Sequence, residues 1–365
     1  MKNTFGQNVS VTLFGESHGD CIGAVLDGLS PGICIDREFI KSRLSMRRPV
    51  YGTGTTRIEP DGFDIVSGVF NGRTTGSPLC IVIRNTDRRS GDYEQIRYVA
   101  RPGHGDYAAY RKYRGFEDYR GAGHLSGRLT AAVVAAGAVL LYALRERGIK
   151  IRTHILSCGG VSDRPYGNLE HDMEILEDMS FPVLDPQAAE IMARTITAAS
   201  EEGDSVGGVL ESAVTGIPAG VGEPWFDSVE GVLSHALFSI PAIKGVQFGA
   251  GFDMAGSRGS EFNDPFAVRN GEIVTLSNNN GGVNAGITNG MPIIFRCAVK
   301  PTPSIYKEQD TADFLQMENT KLRITGRHDP AVIHRAAVVV DSAAAMAMAD
   351  LLSGRFGTDY LAGVQ

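Results

Sequence analysis

The chain has 365 residues, 42% of them hydrophobic, with 35 Lys+Arg against 42 Asp+Glu and a formal net charge of −7. That balance argues against a general nucleic-acid or membrane-surface binder, which is usually basic overall. Five scattered cysteines, never spaced C-x-x-C, supply neither a disulfide framework nor a zinc site and suit a reducing cytosol.

The opening "MKNTFGQNVSVTLF" lacks the basic-then-apolar order of a signal peptide. "VSVTLFG", "IGAVLDG", "FDIVSGVF" and "PLCIVIRN" read as strands. A helix is expected over 126–147, with Ser126 as its cap and Gly148 as its stop. Its apolar run "TAAVVAAGAVLLYAL" is too short to span a bilayer. A second helix is expected over 186–201, then a strand at "GGVLESAVTGI" and a helix over 228–239. "GEIVTLS", "IIFRCAVK" and "AAVVVD" read as strands, and 341–353 as the last helix. The order lacks a strict βαβ rhythm. It predicts α+β or mixed α/β with antiparallel sheets.

The chemistry gathers in three glycine-rich segments, 43–57, 101–128 and 278–330. Within 101–128, six Lys/Arg oppose three Asp/Glu in a chain that is acidic as a whole. "RLSMRRPVYGTGTTR" sets Arg43, Arg47, Arg48 and Arg57 around a Gly-x-Gly turn, and "RPGHGDY" puts Arg101 and His104 on either side of Pro-Gly. "DYRGAGHLSGRLT" opens the apolar helix, where backbone N–H groups and Arg128 would meet an anion. "KPTPSI" and "GRHDP" add Lys300, Ser304, Arg327 and Asp329. Arginine suits bidentate grips on carboxylate and phosphate, so arginines in separate loops imply a ligand with several negative charges. His18, His104, His124 and His328 match no zinc motif. A histidine beside arginines and a phosphate is instead a natural general acid.

"FGESHG" (14–19) fits the G-x-S-x-G nucleophile elbow and equally a tight turn between Gly15 and Gly19. The elbow needs a helix directly after the serine, and "DCIGAVLDGLSPG" reads as a second strand.

These stretches, with "DGLSPG", "TTGSPLCIVIRNTD", "KYRGFEDYRGAG", "PAIKGVQFGAGF", "RGSEFND" and "NNNGGVNAGITNG", resemble the chorismate synthase family over nearly the whole chain. The resemblance implies one unit over 1–365, an α+β β-α-β sandwich with a helical layer between antiparallel sheets. It also implies a cytoplasmic homotetramer with no nucleic-acid or membrane partner. It implies conversion of 5-enolpyruvylshikimate 3-phosphate to chorismate and phosphate by an anti-1,4-elimination that requires reduced FMN. Whether the chain reduces its flavin with NADPH or draws on a separate flavin reductase stays open.

By position, the resemblance makes His18, His104 and Asp329 the catalytic residues. His18 would polarise the reduced flavin, His104 would assist phosphate departure, and Asp329 would help remove the ring proton. Arg47, Arg48, Arg101, Arg128 and Arg327 become substrate contacts. Arg47, His124, Leu125, Ser126, Pro241, Ala242, Ala285, Lys300, Pro301, Thr302, Pro303, Ser304 and Arg327 become the flavin's surroundings. Ser17 becomes a neighbour rather than a nucleophile. The chain departs from the family at His124, where arginine is usual, at Leu125 and Leu129, and at Thr53. The rival readings are acyl transfer by Ser17 and an RNA-binding surface over 107–121, against which the net charge counts.

Overall fold

The computed structural model describes residues 2–48, 60–86, 96–326 and 328–363. Thr53, Arg57 and Arg327 therefore lie outside the described residues. The helices are α1 (Arg37–Ser45), α2 (Asp106–Tyr113), α3 (Thr130–Glu146), α4 (Leu169–Ile175), α5 (Pro186–Glu201), α6 (Val229–Phe238), α7 (Gly259–Phe262) and α8 (Ile333–Phe356). The amino-terminal sheet contains β1 (Thr4–Phe5), β2 (Ser10–Gly15), β3 (Cys21–Asp27), β4 (Phe63–Ser67) and, after the hairpin β5–β6 (Val69–Phe70, Arg73–Thr74), β7 (Leu79–Arg84). Its order is β1-β2-β3-β7-β4. The second sheet holds β8 (Lys150–Cys158), β9 (Val161–Ser162), β10 (Gly208–Thr215), β11 (Ile243–Phe248) and β16 (Ile293–Val299) in the order β11-β16-β10-β8-β9. Three short hairpins complete the strands described: β12–β13 (Phe266–Arg269, Glu272–Thr275), β14–β15 (Val283–Asn284, Ile287–Thr288) and β17–β18 (Gln309–Asp313, Glu318–Leu322). Every ladder in both large sheets is antiparallel.

Between the sheets lie α3 and α8. α3 packs on β3 and β7, α8 packs on β8 and β10, and the two helices pack on each other. Both are buried along most of their length because both outer faces meet a sheet. They cross at Gly137, where a Cβ would stand 2.3 Å from Cβ of Ser342, so only glycine allows this approach. The fold is α+β, with a helical layer between antiparallel sheets. Two helical stretches, Arg120–Glu146 and Ile333–Phe356, are long and apolar enough to cross a membrane, and most of each is buried inside the protein.

Several sequence expectations need correction. The expected strand "AAVVVD" (336–341) lies inside α8. Its three valines favour strand, but the flanking alanines are strong helix formers, and burial on all sides decides for the helix. The helix expected over 126–147 starts at Thr130, after a single 3₁₀ turn at Gly127–Leu129 capped by Ser126. Gly68 divides "FDIVSGVF" between β4 and β5, with its backbone too close to Leu79 for a side chain. β8 and β11 were not expected. β8 carries Arg152 and His154, which break its apolar pattern, and both are buried. Arg152 pairs with Glu177 and Asp341. His154 stands within 3.3 Å of Asp163 and 3.1 Å of Glu211. Burial opposes its charge, but the two carboxylates outweigh burial and raise its pKa.

Candidate active site

The cleft is built from loops at the ends of these elements. β2 ends at Gly15, whose φ of +93° and 2.2 Å approach of a Cβ to Cys21 O restrict it to glycine. The next residues turn back into β3, so no helix follows Ser17. Ser17 N–H donates to Gly123 O, which ties this turn to the glycine loop before α3. Ser17 and His18 are both buried.

Arg47, just after α1, and Arg128, just before α3, come to one carboxylate. Arg47 Nη1 donates to Oδ2 of Asp61 at 2.7 Å, and Arg128 Nη1 donates to Oδ1 of the same residue. All three side chains are buried. Arg48 is more exposed and donates to Pro60 O. Arg101 makes a two-pronged contact with Asp106, Nε to Oδ2 at 2.8 Å and Nη2 to Oδ1 at 2.6 Å. Burial alone would raise the Asp106 pKa, but the Arg101 contacts prevail and lower it.

The His104 loop sits on the loop that follows β16. His104 Nε2 lies 2.7 Å from Ser304 Oγ, and Lys300 Nζ donates to Gly103 O at 2.6 Å. A Cβ on Gly103 would come 2.8 Å from Cβ of Pro303. Burial, then the positive charge of Arg101, pushes the His104 pKa down to about 4. The imidazole is therefore neutral near pH 7. Asp329 pairs with Arg335 from the first turns of α8, and Arg335 Nε also donates to Arg47 O at 2.7 Å.

These groups surround a cleft of about 560 Å³, within the usual range for a small-molecule site. His18, Arg47, Arg48, Arg101, His104, Arg128 and Asp329 line it. So do Leu125, Ser126, Pro241, Ala242, Lys300, Thr302, Pro303 and Ser304. Its apolar wall adds Ile240, Val332, Ala336 and Val339. His124 lines a neighbouring cavity of about 450 Å³ that shares Arg101, His104 and Leu125 with the cleft, and its Nδ1 lies 2.7 Å from Gly15 O. Pro301 and Ala285 do not line the cleft; Ala285 (φ +52°) and Gly286 (φ +85°) form the turn between β14 and β15. The cleft fits a planar, phosphorylated cofactor. It has an apolar wall beside cations, and Thr302 Oγ1 is buried in it without a hydrogen-bond partner among the described residues.

A family model described as chorismate synthase matches residues 9–352. The chain belongs to the chorismate synthase family. Chorismate synthase of Pyrococcus abyssi (strain GE5 / Orsay) is 46% identical over 347 residues, 95% of this chain and 96% of that one. The Thermococcus kodakarensis chorismate synthase is 44% identical over 350 residues, covering 96% and 97%. A crystal structure of chorismate synthase superposes with a TM-score of 0.74 at 31% identity, covering 96% of this chain and 94% of that one. Chorismate synthases are lyases of the shikimate pathway.

Sequence reasoning missed Asp61 and Arg335, which line the cleft, and Asn85 and Asp106, which contact the lining arginines Arg128 and Arg101. Asn85 had a signal, because a polar residue closes the apolar strand "PLCIVIRN". Asp61 had only a Pro-Asp-Gly turn, which by itself marks a loop.

Proposed function

We propose that the chain converts 5-enolpyruvylshikimate 3-phosphate to chorismate and inorganic phosphate by an anti-1,4-elimination, with reduced FMN bound in the same cleft. The supporting observation is that His18, His104, Asp329 and four arginines from three separate segments line one cavity that also has an apolar wall. One phosphate and two carboxylates on the substrate call for such a set of guanidinium groups.

In this reading Arg47, Arg48, Arg101 and Arg128, with Arg327, hold the substrate's anionic groups. His104 stands on the phosphate side. A phosphate dianion there opposes the burial and the Arg101 charge that keep the ring neutral, so the bound imidazole carries the proton that meets the leaving phosphate. Asp329, held by Arg335, is the carboxylate on the side from which the ring proton leaves. The electrons of that C–H bond become a π bond as the C–O bond to phosphate breaks, and no net oxidation occurs. Reduced FMN, when bound, supplies electron density to the allylic system as phosphate departs. His18 lines the cleft, where it would donate a proton or hydrogen bond to the reduced flavin. Lys300, Thr302 and Ser304, with Pro241 and Ala242, form the flavin's wall.

The same reading makes 1–365 one functional unit, assembled as a cytoplasmic homotetramer whose flavin is reduced by NADPH or by a separate reductase. Its test is turnover of the phosphorylated substrate with chemically reduced FMN, with His18→Ala and His104→Ala each losing roughly 10²-fold or more. Wild-type rates in both variants would reject the assignment.

A further inference from the structure

Two buried residues outside the assigned set join the arginines to His18. Asn85 is 5% exposed at the end of β7. Its Nδ2 donates to Glu16 O and to Gly19 O, both at 2.9 Å, the two carbonyls that bracket Ser17 and His18. Its Oδ1 accepts from Arg128 Nε at 3.1 Å. Arg128 also reaches Asp61, and Asp61 reaches Arg47. Asp61 itself sits at φ +47°, a left-handed backbone that costs a non-glycine residue energy and so needs tertiary contacts to hold it.

We propose that Asp61 and Asn85 are positioning residues that set the anion grip and the His18 turn in one hydrogen-bonded chain. The inference rests on the proposed reading of the cleft. Two guanidiniums meet on one carboxylate. Asp61 offsets the repulsion between Arg47 and Arg128 and aligns both before substrate arrives, so less order has to be imposed on binding. Asn85 divides the work: its oxygen steadies Arg128, and its NH₂ fixes the turn that carries His18. A displacement of that turn by about 1 Å is enough to cost up to roughly 10²-fold in rate.

Steady-state turnover of 5-enolpyruvylshikimate 3-phosphate with reduced FMN tests this on the full-length enzyme. Asn85→Asp keeps the oxygen that faces Arg128 and removes the two N–H donors to the turn. It should lower kcat by roughly 10- to 10²-fold with KM within about twofold. Asp61→Asn should act chiefly on KM, raising it about tenfold or more. In a His18→Ala background the kcat loss from Asn85→Asp should shrink to about twofold, because residues acting through one another are not additive. An equal kcat loss in both backgrounds, or a loss confined to KM, would overturn the Asn85 assignment. An unchanged KM in Asp61→Asn would overturn that of Asp61.

If Asn85→Asp does not fold, Asn85→Ser, which removes the contacts to the turn and to Arg128 together, should lower kcat, and that loss should likewise shrink in the His18→Ala background; an equal loss in both backgrounds would overturn the assignment. The ring signals of isotope-labelled His18, assigned by their absence in His18→Ala, give a readout that does not depend on turnover. If the wild type makes no chorismate, the proposed reaction fails. A shifted His18 signal in Asn85→Asp still supports the positioning contact, and an unshifted one overturns it.

Discussion

Gly121 lies against the imidazole of His18, and a Cβ placed on it would stand 2.3 Å from Cε1 and 2.4 Å from Nδ1. Its φ of +56° adds a left-handed backbone that costs an L-residue about 1–2 kcal/mol. Gly121→Ala should therefore displace the ring and lower kcat by up to roughly 10²-fold while the protein stays folded. Rate and thermal midpoint measured together check this. A wild-type rate in Gly121→Ala would mean that the ring's position against the glycine loop is unimportant.

Ser17 and His18 separate the elimination from an acyl-transfer enzyme. β3 follows the turn where a nucleophile elbow requires a helix. Ser17→Ala should keep substantial activity, whereas His18→Ala should not. Stoichiometric capture of a fluorophosphonate by Ser17 would reverse this conclusion.

Arg101 already makes a forked contact with Asp106. Lysine keeps the charge and loses the fork. Arg101→Lys should raise KM on the order of tenfold, the weight of one charge-assisted hydrogen bond. An unchanged KM would remove Arg101 from the substrate site.

Acid should weaken the ligand-free protein through two histidines. Burial holds His334, and burial with Arg101 holds His104, down to about 4, against 6.5 in an unfolded chain. In that window the unfolded state binds more protons than the folded one, so stability falls as pH drops from about 6.5 toward about 4. His334→Leu should flatten the slope of the denaturation midpoint against pH over that range. An identical slope in the variant would exclude His334 as a contributor. His154 works in the opposite sense: its raised pKa gives stability that is full at low pH and lost as pH rises through the folded value.

The α3–α8 crossing offers a test of the fold. Alanine is the better helix former, yet a Cβ at Gly137 meets Ser342 at 2.3 Å. Gly137→Ala should destabilise by about 1–3 kcal/mol in chemical denaturation, as overpacking does. A stabilised variant would show that the two helices can separate without loss.

Local pattern made α5 legible: Asp185 caps it, Pro186 opens it, and its apolar stripe faces the core. β2, β3 and β7 were legible for the same reason, as short apolar runs bounded by turns. α8 was misread in its first half because burial on every side erases helical period. β8 was missed because its polar side chains are satisfied by Asp163, Glu177, Glu211 and Asp341, all outside the strand. The site divides in the same way. Arginine and histidine loops stand out in sequence, and the resemblance orders them. Asp61 and Asn85 acquire meaning only through partners 14 and 67 residues away from Asp61 and 43 and 69 residues away from Asn85.

Anaerobic single-turnover measurement tests the elimination most directly. Enzyme, substrate and reduced FMN are mixed without oxygen, while chorismate absorbance, free phosphate and flavin absorbance are followed together. One chorismate and one phosphate should form per substrate, with the flavin still reduced at the end and no product when oxidised FMN is supplied under the same conditions. Product formation at full rate with oxidised FMN or without flavin, or bound substrate that yields no chorismate beside reduced FMN, would contradict it.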